Sequence, residues 1–112
     1  MINIAIILFA LAALMGLTVL IHWLSKKEAP KLVIYTHGTA AAIALVSLVI
    51  YAFMHPENFP KLSLVLFALA AVAGFYMFFL NQVRNTRPVA FGFIHALVAV
   101  SGFVLLLIFA FA

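Results

Sequence analysis

Residues 1–31 read MINIAIILFALAALMGLTVLIHWLSKKEAPK, an uncharged run that ends at Lys26-Lys27-Glu28 and a helix-breaking Ala29-Pro30. The run mixes Leu, Ile, Ala, Val and Phe without strict alternation, so it reads as a helix. About 20 such residues, rising about 1.5 Å each, cross the hydrocarbon of a bilayer. Three more stretches, 32–56, 62–83 and 88–112, also contain no Lys, Arg, Asp or Glu. Pro30, Pro56, Pro60 and Pro88 fall in or at the edges of the short breaks between them. The expectation is an all-α integral membrane four-helix up-down bundle, one domain with helices near 2–24, 32–54, 62–81 and 89–111. The four runs read as independent, without an internal repeat.

Composition points the same way. The chain has 112 residues, 70% hydrophobic, with six basic and two acidic side chains, whereas soluble domains are roughly 45–50% apolar. The net charge of +4 sits in the breaks between runs, which argues against a surface for nucleic acid. With no cysteine, disulfides, thiolate metal sites, thiol chemistry and covalent c-type haem attachment are excluded. The first run lacks the basic start of a cleaved leader and is expected to remain in the membrane. Lys26, Lys27, Lys31, Arg84 and Arg87 fall in the first and third breaks and Lys61 alone in the second. The positive-inside rule therefore puts the first and third connectors in the cytoplasm and both termini outside. The expected location is a bacterial inner membrane, with lipid as the surrounding partner.

Histidine carries the chemistry. An imidazole inside hydrocarbon is expensive and marks a functional site by default. His37 lies six residues past Lys31 and His95 seven past Pro88, so both sit about 9–10 Å in from the same end of their helices. The second and fourth helices of an up-down bundle are diagonal partners, and two imidazoles at one depth suit the two faces of a single iron porphyrin. No carboxylate occupies any of the runs, which disfavours a hard-cation site. Gly38, Ala41, Gly92 and Gly102 are expected to leave room for the flat ring. Lys31, Arg84, Arg87 and Tyr35 are expected to meet its propionates, because Arg and Lys pair with carboxylates. His22-Trp23, just before Lys26, reads either as a headgroup anchor or as a third ligand or propionate partner. His55, before Pro56, reads as a solvated loop residue. The small residues Ala12, Ala13, Gly16, Ala40 to Ala42, Ala44 and Gly74 read as surfaces for close helix packing.

With His37-Gly38 on the second run and Gly92-x-x-His95 on the fourth, the chain resembles the small four-helix membrane cytochromes b of the cytochrome b-561-like group. That resemblance implies haem b held noncovalently by paired histidines, here His37 and His95. It also implies single-electron exchange with a quinone, a redox partner or an oxygen species. The two-haem members pair ligands near both membrane surfaces, whereas this chain offers only His55 at the outer side; a homodimer would restore a two-centre path. Two other readings stand beside it. One is a transporter or channel subunit with histidines lining a path, and the other is a haem-free assembly subunit.

Overall fold

The computed structural model describes all of residues 1–112 as four helices: α1 (Ile2–Leu24), α2 (Lys31–Met54), α3 (Lys61–Gln82) and α4 (Val89–Phe111). Pro30, Pro60 and Pro88 occupy the N-cap positions of α2, α3 and α4, where a missing N–H costs nothing and a fixed φ starts the turn. α1 ends in a Schellman motif. Lys26 takes a left-handed φ of 59°, its N–H donates to the Trp23 carbonyl, and the Lys27 N–H donates to the His22 carbonyl. α3 ends in a wider turn, with Asn85 at φ 55° and the Thr86 N–H on the Leu80 carbonyl. All four helices are long and apolar enough to cross a membrane.

The packing is inside-out relative to a soluble bundle. Large apolar residues face outward, with Phe53 82% and Leu32 78% exposed, while Ala5, Ala12, Ala40, Ala44 and Ala70 are buried between helices. Small side chains let helix backbones approach closely where hydrocarbon replaces water outside. α1 packs mainly on α2 and α3 on α4. The seams between these two hairpins, α1 with α4 and α2 with α3, are thinner, and the α1/α3 and α2/α4 pairs stand on the diagonals.

The contacts correct one expectation from the sequence: the chain is a tandem repeat of a helical hairpin. Leu8-Phe9-Ala10-Leu11-Ala12-Ala13 recurs as Leu66-Phe67-Ala68-Leu69-Ala70-Ala71, each position 58 residues on. At the same offset Gly16 matches Gly74, Pro30 matches Pro88, His37 matches His95 and Leu48 matches Leu106. Equivalent residues occupy equivalent places. Phe9 and Phe67 stack face to face across the bundle, centroids 3.8 Å apart and planes 5° apart. Leu48 and Leu106 are both fully buried beside them. Ser63, the counterpart of Ala5, is buried and donates to the Gly102 carbonyl at 2.6 Å. Equivalent residues of the two hairpins thus meet each other across the bundle. Phe9, Gly16 and Trp23 recur at seven-residue steps on α1, as Phe67, Gly74 and Asn81 do on α3, the heptad spacing that keeps one seam inward.

Candidate functional site

Two imidazoles at equivalent positions also meet between the hairpins. His37 on α2 and His95 on α4 lie edge to face, with ring centroids 6.4 Å apart and planes inclined by 75°. Each ring rests on the glycine that its own hairpin supplies. A Cβ at Gly16 would lie 2.8 Å from His37 Cε1, and one at Gly74 would lie 3.3 Å from His95 Cε1. These glycines are required by close approach. A methyl at Gly16 would displace the His37 ring, which is also tied to the same helix one turn earlier.

That tie is a hydrogen bond. His37 Nδ1 lies 2.6 Å from the Ala12 carbonyl oxygen, which accepts from an Nδ1–H and leaves Nε2 unprotonated, the state that binds a metal. Ala70, the counterpart of Ala12, presents its carbonyl toward His95. That approach stops short of hydrogen-bond geometry at Nδ1, which is buried and unpartnered. The pair is therefore symmetric in residues and asymmetric in its second hydrogen bond.

The spacing suits one metal between the rings. A nitrogen bound at about 2.0 Å puts its imidazole centroid about 3.2 Å from the metal, so two opposed ligands separate their centroids by about 6.4 Å. No third His, Cys, Asp or Glu joins the pair. Side chains alone thus supply two donors, fewer than the four that a tetrahedral zinc site takes. A planar macrocycle brings its own four nitrogens and needs only two axial ligands.

Packing changes at this level of the bundle. No residue is fully buried between Ala12 and Trp23 on α1, between Pro30 and Ala40 on α2, between Ala70 and Met77 on α3, or between Gly92 and Gly102 on α4. Above the layer, Phe9, Phe67, Leu48 and Leu106 seal the half of the bundle nearer the chain termini. The histidine layer is thus the part of the bundle with the fewest buried side chains. Neither of the two main cavities borders it, so seating a porphyrin requires the hairpins to part along their thinner seams. The donor set, two imidazoles with no carboxylate or thiolate beside them, fits such a group.

The other residues singled out from sequence lie apart from the rings. A Cβ at Gly38 would meet nothing within 4 Å, so this glycine opens outward. Gly92 packs on Leu20 and Trp23 of α1, and Gly102 on Leu66 and Phe67 of α3, as helix-crossing positions. Ala41 is half-buried one turn beyond His37. Tyr35 is exposed and tilts against Phe78, with ring centroids 5.7 Å apart. His22 is partly buried, with Nδ1 2.7 Å from the Thr18 carbonyl of its own helix. His55 is exposed and stacks on Tyr51 at 4.2 Å.

At the basic end, Glu28, Ala29, Lys31, Asn81, Gln82, Asn85 and Arg87 line a polar cavity of about 330 Å³. Arg87 pairs with Glu28 at 3.1 Å, and buried Asn81 donates to Glu28 Oε2 and to the Thr86 carbonyl. Lys31 makes no ion pair there, and the Arg84 guanidinium sits over the Phe79 ring at 5.8 Å. Trp23 is not a headgroup anchor: it is 7% exposed and packs on Gly92.

Sequence reasoning missed Gly16, Gly74 and Ala12 as parts of the site. The signal was the repeated Phe-Ala-Leu-Ala-Ala-x-x-Gly at 9–16 and 67–74, each followed 21 residues later by a histidine. No family model, curated protein or solved structure matches this chain.

Proposed function

We propose that the protein is a membrane cytochrome that holds haem b between His37 and His95 and passes single electrons. The observation that carries this reading is the imidazole pair supplied by the two hairpins, 6.4 Å between centroids and with no third side-chain ligand beside it. His37 and His95 would hold the iron through their Nε2 atoms, with the Ala12 carbonyl fixing the His37 tautomer. Gly16 and Gly74 leave the two rings room to meet. The bound group would supply reversible ferric–ferrous chemistry, and two histidines on the iron favour electron transfer over binding of oxygen. The chain's residues position the group, exclude water from it and tune it by burial. A quinone or a redox protein is the expected exchange partner, and a homodimer would place two such centres near each other. The basic connectors support an orientation with this layer toward the cytoplasmic face of a bacterial inner membrane.

An optical spectrum of the detergent-purified protein tests the reading. A Soret band and a sharp α band on reduction, lost in His37→Ala and in His95→Ala while helicity is kept, are expected. A folded, colourless protein that takes up no haem on titration would overturn it in favour of a transporter or assembly role.

A further inference from the structure

Two buried side-chain polar atoms lack a partner in this molecule. One is His95 Nδ1, within the site, and the other is Trp23 Nε1. Trp23 is 7% exposed, so its indole N–H reaches neither water nor lipid headgroups. An indole nitrogen is donor only, and a buried donor without an acceptor costs about 1–3 kcal/mol. A bound acceptor would remove that cost.

The position indicates what the acceptor belongs to. Trp23 lies seven residues past Gly16, the residue under the His37 ring, so it sits about 10 Å nearer the basic end of the bundle. That depth is comparable to the reach from the centre of a porphyrin to its carboxylate ends. The benzo edge of the indole, Cζ3 and Cε3, lies against Gly92 on α4. Nε1, on the opposite edge, is therefore turned away from that helix. Asn81 holds the equivalent position in the second repeat, but its amide is already committed to Glu28 and Thr86. Of the two equivalent positions, only Trp23 keeps a free buried donor.

We propose that the Trp23 indole N–H donates to a carboxylate of the tetrapyrrole held by His37 and His95, and so selects a ring that carries free acids. This rests on the haem reading above and adds a specificity-determining residue to it. A hydrogen bond from a neutral donor to a carboxylate is stronger than one to a neutral acceptor.

The test uses the full chain in detergent with two probes, iron protoporphyrin IX and its dimethyl ester, followed by Soret titration. Wild type should prefer the diacid by about tenfold or more, and Trp23→Phe should shrink that preference at least several-fold while keeping the bis-histidine spectrum. Because Trp23 is the sole tryptophan, its indole ¹⁵N–H resonance gives a second reading without mutation. In the reduced, diamagnetic state it should shift further downfield with the diacid bound than with the ester. An unchanged diacid preference in Trp23→Phe, or an indole resonance indifferent to the diacid, would overturn this inference and leave the haem reading standing. Failure of both rings to bind wild type would remove both.

Discussion

The Ala12 carbonyl oxygen lies 2.6 Å from His37 Nδ1, joining α1 to α2 through a backbone acceptor that no side-chain substitution removes. The bond fixes which ring nitrogen carries the proton. ¹⁵N NMR of the protein without haem should show His37 as the Nδ1–H tautomer. A His37 signal of the Nε2–H form would contradict the arrangement.

The glycines should rank by the room each has. Gly16→Ala places a methyl 2.8 Å from His37 Cε1, Gly74→Ala places one 3.3 Å from His95 Cε1, and Gly38→Ala meets nothing. Thermal midpoints in detergent should fall most for Gly16→Ala, less for Gly74→Ala and negligibly for Gly38→Ala. Haem retention should follow the same order. Equal effects at all three would mean that the rings are not seated as described.

The Phe9–Phe67 stack closes the other half of the bundle. Phe67→Ala should cost about 3–5 kcal/mol of unfolding stability in mixed micelles, and Phe9→Ala a similar amount, through the cavity left behind. Their double mutant should cost less than the sum by about 0.5–1.5 kcal/mol, the coupling expected of stacked rings. Additive losses would show that the two rings do not meet.

The Glu28–Arg87 pair should matter little. Its side chains are 51% and 37% exposed, and pairs of that kind contribute about 1 kcal/mol or less, screened by salt. Glu28→Gln should lower stability only slightly, with the difference fading at high ionic strength. Asn81→Ala should cost more, because Asn81 is buried and links α3 to both connectors at that end. Chemical denaturation at two salt concentrations separates the two effects.

Orientation has a simple test in a chain without cysteine. Asn58→Cys, in the connector with one lysine, should react with an impermeant thiol reagent added to whole cells. Lys27→Cys should react only after the membrane is opened. The reverse pattern would invert the topology argued from the basic connectors.

Length, hydropathy and charge placement determined four membrane-length helices, their proline starts and the shared depth of His37 and His95, because each is a property of a local stretch. The helix faces were another matter. All four helices are apolar nearly all round, so hydropathy does not say which side of each turns inward. Close packing decided that, and it set Gly16 and Gly74 against the imidazoles while leaving Gly38 outside and Gly92 and Gly102 at helix crossings. The hairpin repeat was written in residues 8–13 and 66–71 all along. Its meaning emerged only in three dimensions, where matching residues meet across the bundle and two histidines, distant along the chain, come to lie side by side.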